Sequence, residues 1–89
     1  MKEADLIIRN AMGLHVRSAS KLAKAATRFK SQVFISYDGL EVNAKSIMGV
    51  MMLAAEEGAL IKVRAEGEDE GDAIAALKAL VESKFGGEA

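Results

Sequence analysis

Apolar residues recur along the chain with two different periods, which separate the predicted strands from the predicted helices. Residues 4–9 (ADLIIR) alternate with a period of two, so they predict a strand with Ala4, Leu6 and Ile8 on one face. Three further segments are predicted strands: residues 33–37, 40–43 and 60–66. Asp38-Gly39, between the second and third strands, is a strong signal for a tight hairpin.

The period changes to that of a helix at three places. The first helix is predicted to begin at Val16, and its apolar positions are Val16, Ala19, Leu22, Ala23, Ala26 and Phe29. Ser46 is the predicted N-cap of a short second helix over residues 47–53. Asp69 is the predicted N-cap of the last helix, which Gly86-Gly87 is predicted to end.

The order of these elements predicts the fold class. The order βαββαβα is typical of an α+β protein in which helices cover one face of a sheet. The 89 residues contain no internal repeat, interdomain linker or low-complexity segment. We therefore expect one domain over residues 1–89, which is large enough to fold on a single hydrophobic core.

Composition excludes several classes of protein and site. The chain has no cysteine, so disulfides and thiolate nucleophiles are excluded, and a single histidine cannot form a histidine-based metal cluster. The longest nearly unbroken apolar run, residues 47–55, is too short to cross a bilayer. The first residues, MKEADLII, lack the arrangement of a signal peptide. We expect a cytoplasmic protein that does not insert into membranes and needs neither metal nor cofactor.

Charge is distributed unevenly along the chain. Residues 1–45 carry a formal charge of +4 and residues 46–89 carry −5, which gives a net charge of −1. Four basic residues share one face of the first predicted helix: Arg17, Lys21, Lys24 and Arg28. This basic stripe could attract an acidic partner, or it could simply be a solvated helix face.

The second predicted helix is apolar nearly all round, although a helix that lies on a sheet buries only one face. Some of Ile47, Met48, Met51 and Met52 should therefore be exposed, unless flanking loops cover them. Exposed methionines suit a surface that adapts to partner proteins. Ser46 lies at the start of this helix, where a phosphate would be stabilised, although a serine there can also be no more than a cap.

The only histidine lies immediately before the first helix. If that helix begins near Val16, His15 is at the N-cap, and the backbone amides of Val16, Arg17 and Ser18 lack intrahelical partners. Such amides bind anions, and the helix dipole disfavours the imidazolium and keeps the ring neutral and nucleophilic. A phosphoryl group on this ring would meet the amides and the Arg17 guanidinium together. The competing interpretation is that a lone histidine at a helix start is incidental.

Two segments together resemble the HPr family, the histidine-containing phosphocarrier proteins of the bacterial phosphoenolpyruvate-dependent sugar phosphotransferase system. Residues 13–19 (GLHVRSA) are similar to the family pattern G-L-H-A-R-P-A around the active site. Residues 44–51 (AKSIMGVM) are similar to the stretch around the family's regulatory serine. The hairpin and the last helix also fit, so the resemblance covers nearly the whole chain.

The resemblance implies an open-faced β-sandwich, with a four-stranded antiparallel sheet and three helices on one face. It implies a carrier rather than an enzyme, in which His15 accepts a phosphoryl group on Nδ1 from phospho-enzyme I and passes it to IIA domains of sugar permeases. Arg17 would hold the phosphoryl group. Ser46 would be the target of the ATP-dependent HPr kinase/phosphorylase.

The resemblance and the two surfaces together suggest where partners dock. We expect enzyme I to contact Lys21, Lys24 and Arg28 of the basic stripe and the exposed part of Ile47, Met48 and Met51. The interface should be small and transient, because a carrier must release its partners quickly. We expect a monomer.

Two residues depart from the family pattern. Ser18 stands where proline is usual, and it adds a backbone amide and a hydroxyl, so we expect a looser helix start and different phosphate contacts. Val16 replaces the common alanine and adds β-branched bulk at the partner surface. Both leave open whether the chain serves a sugar pathway or a nitrogen-type regulatory branch. A separate alternative is a regulatory relative that is phosphorylated only on Ser46, and the presence of His15 argues against it.

A nucleic-acid-binding domain is the competing function from another class, because a basic helix beside a sheet can bind nucleic acid. Tyr37 and the three phenylalanines do not form an aromatic pair on adjacent strands, and the isoelectric point is about 5.8. We therefore expect no nucleic-acid partner.

Overall fold

The computed structural model describes residues 1–87. Four strands form one antiparallel sheet in the order β1-β4-β2-β3: β1 (Lys2–Ile7), β2 (Gln32–Tyr37), β3 (Leu40–Asn43) and β4 (Leu60–Glu66). The helices are α1 (Val16–Thr27), α2 (Ile47–Met52), α3 (Glu70–Glu82) and a short turn, α4 (Lys84–Gly87). The predicted fold class, an open-faced sandwich with helices on one side of a four-stranded sheet, is confirmed.

The register of the sheet explains why one face is apolar. Val63 of β4 pairs with Ala4 of β1 and with Ile35 of β2, and both Val63 and Ile35 are buried. Because side chains alternate along a strand, one face of the sheet collects these residues and the other face carries charged ones. Arg64 lies on that open face, where it pairs with Glu41 at 2.9 Å.

The core lies between the apolar sheet face and the helices. Leu22 of α1, Val50 of α2 and Leu77 of α3 are fully buried against it. Burial of aliphatic side chains of this size contributes roughly 1.5–3 kcal/mol each relative to exposure. Helices α1 and α2 also pack against each other, and the segment after α2 lies by the loop before α1, where the backbone N–H of Leu14 donates to the carbonyl of Ala55 at 2.9 Å.

The hairpin between β2 and β3 forms as predicted. Asp38 and Gly39 have φ angles of 53° and 83°, which are the two left-handed residues that a type I′ turn requires. By contrast, β1 begins and ends two residues earlier than predicted. Ile8 is still buried, but its backbone bonds are made to the turn at Gly58 and Ala59, where the β4 pairing ends.

The end of the last helix also differs from the prediction. Helix α3 ends at Glu82, and the chain then makes a turn in which Lys84, Phe85, Gly86 and Gly87 all have positive φ. This turn delivers the Phe85 side chain into the core, where it is fully buried. The glycines therefore lie in a separate turn and do not end α3.

Asp69 stands at the N-cap position of α3, but its side chain makes no capping bond. Its carboxylate instead accepts hydrogen bonds from the backbone of Lys30 and Ser31, each at 2.9 Å, and from the Ser31 hydroxyl at 2.5 Å. These bonds, first those from the Ser31 hydroxyl and the Lys30 amide, lower the pKa of Asp69 from 3.8 to about 2. The predicted N-cap position is therefore confirmed, but the side chain does not cap the helix, because its carboxylate ties the α1–β2 connection to the start of α3.

No helix in the described part of the chain has the length and apolar character needed to cross a membrane.

Candidate functional site at the start of α1

The start of α1 is built around His15, which is the N-cap residue as predicted. Its backbone is extended, with φ −113°, and its ring nitrogen Nδ1 accepts a hydrogen bond from the backbone N–H of Arg17 at 3.3 Å. Because Nδ1 is the acceptor, its lone pair points at the first amides of the helix. These are the groups that carry the positive end of the helix dipole.

The ring of His15 is less accessible than the prediction of a solvent-exposed ring implies. The residue is half-buried, and its second ring nitrogen, Nε2, has almost no contact with solvent. The capping bond holds Nδ1 towards the helix start. The expectation of an exposed ring is therefore wrong, and the side of the ring that bears Nδ1 faces the helix start.

The loop before His15 has little freedom. Gly13 has φ +67°, and a Cβ atom at this position would lie 2.4 Å from the carbonyl oxygen of Ala55. The next residue, Leu14, donates its backbone N–H to the same oxygen at 2.9 Å. The side chain of Asn10, which is fully buried, donates to the carbonyl of Gly13 at 2.8 Å. Only glycine fits at position 13, and His15 therefore follows a fixed backbone.

Ser18 completes a reciprocal capping box with His15. The Ser18 hydroxyl accepts the backbone N–H of His15 at 3.0 Å, while the His15 side chain accepts from the first turn of α1. The hydroxyl also donates to the Gly13 carbonyl at 2.8 Å. Ser18 thus holds the start of the helix, contrary to the expectation that replacing proline would loosen it.

A surface cavity of about 560 Å³ opens beside the ring. Its lining residues come from the loop, from the start of α1 and from the turn after α3: Met12, His15, Val16, Arg17, Lys21, Gly86 and Gly87. Two of the predicted site residues, Arg17 and Lys21, therefore bring positive charge to the histidine. The first turn of α1 contains no acidic residue.

The turn at Gly86 and Gly87 is the part of this site that sequence reasoning missed. The Lys21 ammonium donates to the carbonyl of Phe85 at 2.8 Å and so fastens this turn to α1. No periodicity or motif links residues 21 and 85, so the sequence alone contained no usable signal for this wall of the cavity.

The basic stripe is exposed along the whole of α1. Arg17 and Lys21 lie at the histidine, whereas Lys24 and Arg28 lie farther along, in a groove of about 580 Å³ between α1 and α3 that Lys21 also lines. The exposed positions predicted for this stripe are confirmed, but one position of the predicted apolar face is exposed. Val16 was expected on the apolar face, but it is 63 % exposed and lines the cavity.

Helix α2 presents the apolar surface that its composition predicts. Met48 and Met52 are 76 % and 67 % exposed, and Ile47 and Met51 are each more than a third exposed. Ser46 caps this helix, because its hydroxyl oxygen accepts the backbone N–H of Gly49 at 3.0 Å. The Ser46 side chain lies on the surface, next to this exposed apolar patch.

Within residues 1–87, no group of three or more histidine, cysteine, aspartate or glutamate residues is placed to hold a metal ion. The chemistry that this arrangement can perform is the capture of an anion at the start of α1, where amides, the dipole and two cationic side chains converge.

Comparison with known proteins gives a consistent result. A model of the PTS-HPr family, described as the PTS HPr component phosphorylation site, matches residues 2–83. The chain is 51 % identical over 85 residues to the phosphocarrier protein HPr of Xylella fastidiosa, covering 96 % of each chain. It is 43 % identical over 84 residues to the HPr-like protein Crh of Halalkalibacterium halodurans, covering 94 % of this chain and all of that one. The crystal structure of HPr-C-His from Thermoanaerobacter tengcongensis superposes with a TM-score of 0.95, at 48 % identity and with full coverage of both chains.

Proposed function

Because the chain belongs to the PTS-HPr family of phosphocarrier proteins, we propose that it takes a phosphoryl group from phospho-enzyme I onto His15 and passes it to IIA domains. The observation that carries this proposal is the hydrogen bond from the Arg17 amide to Nδ1 of His15. It marks Nδ1 as the nucleophilic nitrogen and sets it against a positive helix end.

The transfer step uses the electron pair of Nδ1. This pair forms the new bond to phosphorus, while the bond between phosphorus and its donor group breaks and its electrons leave with the donor. Nδ1 can then no longer accept the Arg17 amide, which is left to donate to a phosphoryl oxygen. The amides of Val16 and Ser18 and the Arg17 guanidinium supply the other donors, and charge-assisted bonds of this kind are roughly twice as strong as neutral ones.

Partner binding is assigned to the two surfaces that flank His15. Acidic surfaces of enzyme I and of IIA domains would face Lys21, Lys24 and Arg28, and apolar side chains would cover Ile47, Met48 and Met51. All six residues are exposed. Exposed charges are screened over about 8–10 Å at physiological ionic strength, so association should weaken as salt is added. Binding that did not respond to salt would argue against a role for the basic stripe.

We assign a regulatory role to Ser46, as the substrate of an HPr kinase/phosphorylase. A phosphate at this exposed cap would add roughly −1.5 to −2 charges beside the surface that meets acidic partners. The helix start tolerates that charge, while the interface does not. Incubation with the purified kinase and ATP, followed by peptide mass mapping, would test this assignment.

A second candidate function is that of a regulatory relative, of nitrogen type or phosphorylated only on Ser46. The match to an HPr-like Crh protein favours it. The arrangement around His15 favours the carrier, because a purely regulatory protein has no need of a histidine held by the amides of α1. Labelling on His15 by enzyme I would exclude the relative that is phosphorylated only on Ser46, and onward transfer to a IIA domain of a sugar permease would separate the carrier from the nitrogen type.

The proposed place of action is the cytoplasm, and the proposed working form is a monomer. A carrier that must dock with two partners through one small surface has to leave that surface free. Light scattering at the concentrations used for transfer assays would test the monomer directly.

The decisive experiment is incubation of the protein with phosphoenolpyruvate and enzyme I, followed by intact mass spectrometry. We expect one added phosphoryl group that is lost in acid and kept in base, as a phosphoramidate should be. His15→Ala should remain unlabelled and should keep its fold. Labelling of His15→Ala to the same extent would overturn the assignment of His15.

A further inference from the structure

One fully buried polar group at the site is not used by the phosphoryl chemistry, and that group is the hydroxyl of Ser18. Its oxygen lies 3.0 Å from the backbone nitrogen of His15 and 2.8 Å from the carbonyl oxygen of Gly13. A weaker contact of 3.3 Å is made to the carbonyl of His15. The hydroxyl therefore bonds to backbone groups on both sides of Leu14.

These bonds and the burial of the residue make the hydroxyl inaccessible to other reactants. It has one hydrogen, which the Gly13 carbonyl takes, and it accepts the N–H of His15. The residue has no exposed surface. Ser18 is therefore closed to kinases and to transferred phosphoryl groups, unlike the exposed Ser46.

The backbone that Ser18 holds is the one from which the reactive ring projects. Gly13 is fixed from the other side by its contact with Ala55, and its carbonyl also accepts the side chain of Asn10 at 2.8 Å. We propose that the Ser18 hydroxyl is a positioning residue for phosphoryl transfer, because it fixes the His15 backbone so that Nδ1 stays against the amides of α1. This inference rests on the proposed function of His15.

The benefit for the reaction is a preset direction of attack. Transfer requires the accepting nitrogen to lie in line with the bond that breaks, and a displacement of about 1 Å can cost roughly a hundredfold in rate. The hydroxyl acts on the backbone of His15 and not on the partner surface. It should therefore affect the turnover of the bound complex and leave partner affinity unchanged.

The test compares three alanine variants in transfer from phospho-enzyme I. Ser18→Ala should lower kcat about tenfold with KM within about twofold of wild type. Ser20→Ala, at the other serine of α1, should leave both constants unchanged. Asn10→Ala removes a bond to the same Gly13 carbonyl but none to His15, and it controls for loss of loop stability. Ser18→Cys, which keeps a weak S–H donor on a larger atom, should fall between wild type and Ser18→Ala, and it carries the test if the alanine variant does not fold.

The tautomer of His15 gives a readout that does not depend on transfer. In the neutral ring, an acceptor at Nδ1 requires the hydrogen on Nε2, which long-range ¹H–¹⁵N spectra detect. We expect wild type and Asn10→Ala to keep this tautomer, and Ser18→Ala to show a mixture of both. A single tautomer in every variant would overturn the proposal, as would a kcat loss in Asn10→Ala that matches the loss in Ser18→Ala at equal melting temperature. Failure of wild type to be labelled at all would instead overturn the proposed function.

Discussion

The two long helices of this chain begin with opposite arrangements of charge. The first turn of α3 contains Glu70 and Asp72, whereas the first turn of α1 contains no acid and is preceded by His15. Arg17 and Lys21 then bring positive charge to a helix end that is already positive. At the start of α3, the carboxylates of the chain itself offset the positive end of the helix dipole. At the start of α1, basic side chains add to that positive end, and this arrangement is suited to bind an anion from outside the chain.

One of the two carboxylates in the first turn of α3, that of Glu70, is already engaged. Glu70 pairs with the ammonium group of Met1 at 2.8 Å and accepts the backbone N–H of Gly67. The bond to that ammonium group is the main cause that lowers the pKa of Glu70. The charge of Glu70 is thus matched within the chain, and it has a structural role. The comparison teaches that acidic residues at a helix start can serve the fold, whereas the start of α1, with no acidic residue in its first turn, is suited to bind an anion.

The largest effect on phosphoryl transfer should come from placing an acidic residue in the first turn of α1, as in α3. Val16 is 63 % exposed in the first turn, so Val16→Glu should leave the fold intact and melt no lower than wild type. Its carboxylate would repel the incoming phosphoryl group, and kcat/KM for acceptance should fall about a hundredfold, since like charges brought together can cost several kcal/mol. Val16→Gln, of the same size and without charge, is the matched control. Equal rates for the two variants would show that the absence of acid in this turn is incidental.

Arg17→Ala should have the next largest effect. The fold should remain intact, and transfer should slow about tenfold, because a guanidinium that holds phosphoryl oxygens contributes through charge-assisted hydrogen bonds. Arg17→Lys should recover part of the rate, as it keeps the charge but not the bidentate geometry. Arg28→Ala, at the far end of the basic stripe, should change KM and its salt dependence with little change in kcat. Rapid-quench measurement of a single turnover separates the two effects.

The start of α3 should respond in stability and not in transfer. The pKa of Asp69 is lowered from 3.8 to about 2 in the folded protein. The ionised carboxylate therefore stabilises the fold at any pH above the pKa that Asp69 has in the unfolded chain. That contribution should be lost as the pH falls from about 4 towards 2. Asp69→Asn should melt lower at neutral pH and should lack this part of the acid dependence, while exposed Asp72→Asn should behave like wild type. Thermal melts between pH 2 and 7 would measure this acid dependence of stability. The same acid dependence in Asp69→Asn as in wild type would contradict the role assigned to the carboxylate.

The smallest effects should come from the start of α2. Ser46→Ala should lose the cap, about 0.5–2 kcal/mol of stability, with transfer at His15 nearly unchanged. Ser46→Asp should melt no lower than wild type, because the helix dipole accepts a negative charge there, but it should accept the phosphoryl group severalfold more slowly at low salt. If Ser46→Asp transfers as fast as wild type at low salt, the electrostatic account of regulation fails and the serine is only a cap.

Features set by neighbouring residues could be predicted from the sequence. The start of α1 at Val16 and the cap at Ser46 follow from the local order of polar and apolar residues, and the structure confirms both. The left-handed pair Asp38-Gly39 determines the hairpin without help from the rest of the chain. The candidate site was predictable for the same reason, because the histidine, the arginine and the amides lie within four consecutive residues.

Features set by distant residues could not be predicted. Asp69 looks like a helix cap in its own neighbourhood, and only the fold brings it to Ser31, 38 residues away. The turn after α3 is drawn out of helical geometry by burial of Phe85 and by the bond to Lys21, 64 residues away. The sequence predicts that Ser18 loosens the helix start, because the hydrogen bond from its hydroxyl to the Gly13 carbonyl depends on the conformation of the loop, which the sequence does not reveal.

The position of β1 in the sheet has a consequence for how the chain folds. β1 lies at one edge of the sheet, where it pairs with β4, and about fifty residues separate the two along the chain. During synthesis at about 5–20 residues per second, β1 must wait roughly 3–10 s before its partner has been made. The loop that carries His15 lies between β1 and α1 and bonds to Ala55 and Ala59, so it can reach its final shape only after these residues have also been made. Since the chain contains no proline, slow prolyl isomerisation adds no further delay.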